Sequence, residues 1–172
     1  MTTRWGDFEE EAPALAAAVR ERFGMYRHHV LATLRADGAP RVTGLEAGFG
    51  HGELWLGMMP NSRKALDLLR DPRFALHANP GEDAEMEHGD ARVSGRAVEV
   101  TDPAKLAEYA GEQPEGEVPE VFHLFRVDLT EVVRTYLDVP DMCMDVWRPG
   151  VPVRTIRRGN DDAPPREEEA KG

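Results

Sequence analysis

Cysteine is almost missing from the chain. Cys143 stands alone among 172 residues, which excludes an internal disulfide and any cysteine-rich zinc site. Basic residues are in deficit: 21 Lys and Arg face 32 Asp and Glu, a formal net charge of -11. That balance argues against nucleic acid or an anionic membrane as the main partner, because both are bound through positive surface. No apolar run is long enough to span a bilayer, and the first residues lack the apolar core of a signal peptide; the expectation is a cytoplasmic protein. Internal repeats are lacking. The six histidines show neither HxxxH nor HExxH spacing, and the neighbours His28 and His29 would point to opposite faces of a strand. Neither a metal site nor a haem site is expected from them. Lysine is the scarcest charged residue, three against eighteen arginines, so Lys64 beside Arg63 stands out.

What is present is an ordinary soluble composition, 41% hydrophobic and 31% charged, at a length that suits one domain with a real core. Ala12, Leu15, Ala16, Val19 and Phe23 share one face of a helix over Ala12–Phe23, ended by Gly24. Val30–Leu34 reads as a strand, Ala36-Asp37-Gly38 as a hairpin turn, and Pro40–Phe49 as the return strand. The phase of that return strand is irregular, and Gly44 and Gly48 point to a bulge or to a close approach by a ligand. Asn79–Gly89 is a polar loop and Ala91–Val100 a strand bent at Gly95. Thr101-Asp102-Pro103 places a cap before proline and opens a short helix, Ala104–Ala110. Gly111–Pro119 is a mobile acidic loop. Val121–Leu129, Val132–Leu137 and Met142–Trp147 are strand-like, with Trp147 expected in the core. Disorder is expected over residues 157–172, which are charged and contain Pro164-Pro165; residues 1–156 then form the folded domain. Short strands joined by tight turns, with helices at the margins, favour an antiparallel barrel over a parallel sheet.

The stretch Gly52–Ala78, GELWLGMMPNSRKALDLLRDPRFALHA, combines a strand, a loop, a helix and a second strand. Leu54, Leu56 and Met58 alternate with Trp55 and Gly57. Asn61 or Ser62 caps a helix with Ala65, Leu68 and Leu69 at helical spacing, and Asp71-Pro72 ends it. Ser62, Arg63 and Lys64 thus lie beside the unpaired N–H groups of a helix start, where the helix dipole favours a phosphate. The other reading makes Ser62 a simple cap and leaves Arg63 and Lys64 solvated. Two cations at the positive end of a helix are then mildly unfavourable without an anion.

The chain resembles the pyridoxamine 5′-phosphate oxidase-like superfamily of flavin-binding split β-barrels. The resemblance rests on HVLATLRADGAPRV, then GELWL followed by SRKALDLLRDPRFAL, then GDARVSGRAVEV, in the family's order from His29 to Val100. It is weaker from Val121 to Trp147. The chain is most similar to actinobacterial members that carry the family name without being true vitamin B6 oxidases. The resemblance implies a mainly β, antiparallel FMN-binding split barrel with peripheral helices, forming a homodimer with two flavin sites at the interface. It implies that Ser62, Arg63 and Lys64 hold the phosphate of FMN. Arg41, Val42 and Thr43 of the second strand would contribute an arginine and neighbouring backbone, and Gly57 and Met58 would lie along the flavin ring. Arginine offers a fork for phosphate oxygens and lysine a compact charge, in keeping with those roles.

Two departures from the true oxidases matter. Glu46 stands where they carry a lysine for the substrate phosphate, so an anionic B6 phosphate would be repelled. Gly57 and Met58 replace the tyrosine and threonine that touch the ring. The implied function is an FMN-dependent oxidoreductase acting on a small molecule. The alternatives are a reductase using the deazaflavin coenzyme F-420, whose acidic tail suits this acidic surface poorly, and a non-catalytic flavin- or haem-binding barrel. Arg92 and Arg96, on one face of a strand, are either cofactor-facing or surface residues.

Overall fold

In the computed structural model, which describes residues 2–82 and 86–169, two strands change partner partway along, and together they close the barrel. The first is the return strand, which breaks at Glu46 into β2 (Pro40–Leu45) and β3 (Ala47–Gly50). β2 pairs antiparallel with β1 (His29–Leu34), Leu31 opposite Thr43. β3 pairs instead with β4 (Glu53–Met58), Ala47 opposite Leu56. The irregular phase of Pro40–Phe49 has its cause here, since residues on either side of Glu46 belong to different ladders.

The second is β7 (His123–Asp138), one continuous strand of 16 residues where the apolar pattern suggests two. One edge pairs with β6 (Asp90–Glu99). The other pairs with β4 through His123–Arg126 and with β8 (Asp141–Arg148) through Val132–Asp138. β5 (Arg73–His77) joins β1 to β6. The ring therefore runs β1, β2 continuing as β3, β4, β7, β6, β5 and back to β1, antiparallel at each ladder. This is the antiparallel split barrel. β8, β9 (Val151–Arg158) and β10 (Arg166–Glu169) extend the sheet beyond it. The bend at Gly95 is a register shift between Ser94 and Gly95 against β7.

The acidic run near the start conceals part of the core. Asp7 to Glu11 belong to α1 (Trp5–Glu11), whose other face buries Trp5 and Phe8 completely. Trp5 packs edge-on against Phe49, ring centroids 4.6 Å apart, and Phe8 lies 4.7 Å from Trp147. Trp147 is in the core as expected, its indole N–H donating to Glu11 at 3.0 Å. Pro13 opens α2 (Pro13–Gly24), which buries Leu15, Ala16, Val19 and Phe23. α3 (Arg63–Arg70) packs on β1, and α4 (Pro103–Glu112) buries no residue. Among the described residues no helix is long and apolar enough to cross a membrane.

Disorder over residues 157–169 is not what the structure shows, and residues 170–172 of that expectation lie outside the described residues. β9 continues to Arg158, and β10 returns beside it with Glu167 opposite Ile156. All four β10 residues are exposed, so no apolar alternation marks the strand. Edge hydrogen bonds hold it, with the ion pairs Arg154–Glu167 at 3.1 Å and Arg157–Glu168 at 3.2 Å.

Candidate functional site

After β4 the chain turns sharply, Ser62 N–H donating to the Met59 carbonyl at 3.2 Å. Asn61 takes φ 54° in that turn, a left-handed conformation that asparagine tolerates better than most residues. The turn delivers Ser62 to the N-cap of α3, yet its side chain makes no cap hydrogen bond. Its Oγ is buried without a partner, and so is Oγ1 of Thr43 on β2. Two contacts hold β2 against the helix. Lys64 Nζ donates to the Gly44 carbonyl at 2.6 Å, and Arg41 Nε donates to Asp67 Oδ2 at 2.6 Å. Arg41 and Thr43 share a strand face by alternation, so the Thr43 hydroxyl lies on the side turned to α3. Burial pushes the Lys64 ammonium down from its ordinary value.

An orphaned buried hydroxyl costs free energy. Here there are two beside one helix start, whose first turn carries no acidic residue. Unpaired backbone N–H groups, the positive end of the helix dipole and the Lys64 ammonium surround them. The chemistry of this donor set fits a phosphate group.

Ser62, Thr43 and Lys64 are thus brought together. Arg63 is exposed and makes no hydrogen bond or ion pair among the described residues. Arg41 is engaged elsewhere. Asp67 accepts from it, from Thr33 Oγ1 at 2.8 Å and from Arg70 at 3.0 Å. Burial would raise the Asp67 carboxyl, but those hydrogen bonds outweigh it and hold the group below its ordinary value. Val42, on the opposite face of β2, is 68% exposed.

Lys64 and Gly44 also line a cavity of about 690 Å³ that reaches past Gly57 and Met58 toward α4 and the 113–122 loop. Met58 is buried in the core and also lines the cavity. Tyr109 of α4 lies over Gly57, where a Cβ would come within 2.7 Å of the phenol oxygen. The missing side chain at Gly57 is what lets the Tyr109 phenol lie this close to β4. Burial and the nearby Glu46 carboxylate push the Tyr109 phenol up. At the rim Arg27 bridges Glu46 at 2.9 Å and Glu117 at 2.5 Å, and His28 pairs with Glu46 at 3.1 Å. His29 is buried, with Nδ1 accepting from Ala47 N–H at 3.1 Å and Nε2 bonded to the Phe23 carbonyl at 2.8 Å. Both ring nitrogens serve the fold. Arg92 pairs with Glu131 at 2.9 Å, away from this cavity.

Sequence reasoning missed Tyr109 and Asp67. Nothing in the Ala-rich α4 marks Tyr109. Asp67 did leave a signal, because it falls between Ala65 and Leu68 on the buried side of α3 and must have partners there.

The fold recurs in solved structures. General Stress Protein 26 from Bacillus anthracis superposes with a TM-score of 0.56 at 16% identity, over 77% of this chain and 96% of that one. HutZ, the haem storage protein from Vibrio cholerae, gives 0.53 at 20% identity, over 71% and 96%. A conserved hypothetical protein from Mycobacterium tuberculosis gives 0.53 at 23%, over 67% and 81%. At these identities the likeness is one of fold. Among curated proteins none matches the chain by sequence. The family model of pyridoxamine 5′-phosphate oxidase matches residues 15–136, which run from α2 almost to the end of β7 and include the whole α3 start. With more than half of the chain matched, the protein belongs to the pyridoxamine 5′-phosphate oxidase-like family.

Proposed function

We propose that the protein is an FMN-binding oxidoreductase acting on a small molecule, with the cofactor phosphate at the start of α3 and its ring in the adjoining cavity. The observation that carries this reading is the pair of partnerless buried hydroxyls, Ser62 Oγ and Thr43 Oγ1, beside Lys64 at an acid-free helix start. A cavity of about 690 Å³ is within the size range of cofactor pockets. FMN, when bound, supplies hydride transfer. The chain positions and shields it. Ser62 and the first N–H groups of α3 donate to phosphate oxygens, Lys64 neutralises their charge, and Tyr109 with Phe122 keeps water from the inner wall. Arg27 and His28 are both engaged by Glu46, so a substrate phosphate finds no open cation on that wall. An unphosphorylated substrate follows.

The working unit in this reading is a homodimer. The turn before α3 and α3 itself carry the exposed apolar side chains Met59, Leu66 and Leu69, close in sequence to the proposed phosphate ligands Ser62 and Lys64. Large exposed apolar groups of this kind mark association surfaces when they gather.

Titration of FMN and riboflavin, followed by flavin fluorescence, tests the proposal. Charge-assisted hydrogen bonds contribute roughly 1.5–3 kcal/mol each. Lys64→Ala or Arg63→Ala should therefore weaken FMN about tenfold to a hundredfold, while riboflavin, which lacks the phosphate, hardly responds. Ser62→Ala should act in the same direction. Equal losses for both ligands, or no loss for FMN, would overturn the phosphate site. Uptake of haemin with a Soret band, or of a deazaflavin, in place of FMN would overturn the cofactor.

A further inference from the structure

Beside the large cavity, on the neighbouring face of α4, a side chain of the β3–β4 turn meets two of the helix. His51 occupies the turn between β3 and β4, and its Nε2 lies 2.5 Å from Glu112 Oε1. Glu108 and Glu112 are one turn apart on α4, so both carboxylates project from the same face. One ligand atom from each of the three residues falls within 4.8 Å of the others. A tetrahedral ion with bonds of about 2.0–2.2 Å holds its ligand atoms roughly 3.3–3.6 Å apart, a spacing these exposed side chains reach by small rotations.

Several observations argue that this cluster is more than a solvated ion pair. Glu53 lines the same small cavity of about 170 Å³, and its side chain is only 8% exposed. Arg4 pairs with its Oε1 at 2.8 Å, whereas Oε2 is buried with no partner. Arg4 and Lys105 are the other charged groups around the cavity, and they leave the carboxylates in excess. Moreover, Glu112 ends α4 and Glu108 lies one turn before it, and the last turn carries no basic residue. Like charges at that spacing repel, and the helix dipole there is also negative. A cation relieves both costs.

We propose that His51, Glu108 and Glu112 bind a divalent cation at the cavity that Glu53 also lines, and that the ion fastens α4 to the β3–β4 turn. One imidazole and carboxylate oxygens, with room for a fourth ligand, suit zinc better than the hard, all-oxygen cations magnesium and calcium. α4 buries no residue, so its hold on the barrel rests on contacts such as Tyr109 over Gly57 and this polar end. The site is independent of the flavin reading, because it can be filled in protein that holds no cofactor.

Calorimetric titration of ZnCl₂ into tag-free, chelator-stripped protein provides the test, with MgCl₂ and CaCl₂ alongside. One zinc per chain should bind saturably, and the other two ions only weakly. Buried Cys143 is not a competing ligand, since burial pushes its thiol up. His51→Asn and Glu112→Gln should each weaken zinc by roughly tenfold or more, as each removes one of three ligands. Asparagine accepts the φ of 53° found at His51, so this variant keeps the turn. Glu115→Gln and Glu120→Gln, in the same acidic stretch but outside the cluster, should bind zinc like wild type. Hydrogen exchange of the α4 amides should slow with zinc in wild type and not in His51→Asn. Absence of saturable binding would overturn the proposal. So would equal losses in the control variants, which would reduce the effect to a diffuse acidic surface.

Discussion

Replacing Asp67 by alanine should be among the most destabilising changes in the barrel that touch no apolar contact. Its carboxylate is 3% exposed and faces Arg41, which is 20% exposed, and Arg70, which is 41% exposed. Removing one member of a buried charge pair leaves the other unpaired, at a cost of about 3–5 kcal/mol. Arg70 can turn to solvent and keeps its bond to the Leu34 carbonyl at 2.6 Å, so its share is small. Thr33 cannot turn away; it is 1% exposed and its hydroxyl would be orphaned. The sum stays at about 3–5 kcal/mol, and each kcal/mol lowers Tm by roughly 2–4 °C for a domain of this size. Thermal melts by circular dichroism at fixed protein concentration should therefore show a fall of about 6–20 °C near neutral pH. The pH dependence follows from the sign of the shift. The Asp67 carboxyl titrates lower in the fold than in the unfolded chain. Its contribution is thus complete above the unfolded value near pH 4 and disappears as pH drops through the folded value. The gap between wild type and variant should stay open at neutral pH and close in acid. A neutral-pH loss under about 1 kcal/mol, or a gap that persists in acid, would refute this account of how α3 is held.

Two further outcomes are expected. Sedimentation at micromolar concentration should give a species of twice the 19.2 kDa chain mass; a monomer alone would remove the dimer and any interface cofactor site with it. Truncation after Arg158 removes β10 and the pairs Arg154–Glu167, Arg157–Glu168 and Arg166–Asp141, which are surface ion pairs of about 0–1 kcal/mol each. Tm should fall by no more than a few degrees, and a large drop would show that the strand is integral to the sheet.

The parts of the fold legible in the sequence are those in which burial is local and periodic. Leu54, Leu56 and Met58 fix β4, and Ala65 and Leu68 fix the inner face of α3, because each stripe repeats within a few residues. Strand exchange leaves no such trace. β7 looks like two strands because Thr130 interrupts its apolar run, and only the ladders with β4, β6 and β8 show that the chain continues straight through. β10 is invisible for the opposite reason: an exposed edge strand of arginine and glutamates needs no apolar pattern. α1 is hidden by five mostly acidic residues, Asp7 to Glu11, although Trp5 and Phe8 stand three apart and bury on one face.

The candidate site divides along the same line, and the division bears on which cation matters most. Ser62 and Lys64 are readable from three adjacent letters, and the resemblance adds Arg41 from a neighbouring strand. What the letters do not carry is the partner each cation already has. Arg41 is held by Asp67, 26 residues away in sequence, so its charge is largely met before any ligand arrives. Lys64 donates its hydrogen bond to a neutral carbonyl, that of Gly44, and burial already disfavours its charge. An arriving phosphate therefore gains more from Lys64 than from Arg41. Exposed Arg63, with no partner among the described residues, must give up side-chain freedom to reach the same anion. Lys64→Ala should then weaken FMN more than Arg63→Ala. Arg41→Ala should act mainly through stability, by unpairing Asp67, and should weaken FMN and riboflavin alike. The reverse order, with Arg41→Ala selective for FMN, would mean that the phosphate draws Arg41 away from Asp67.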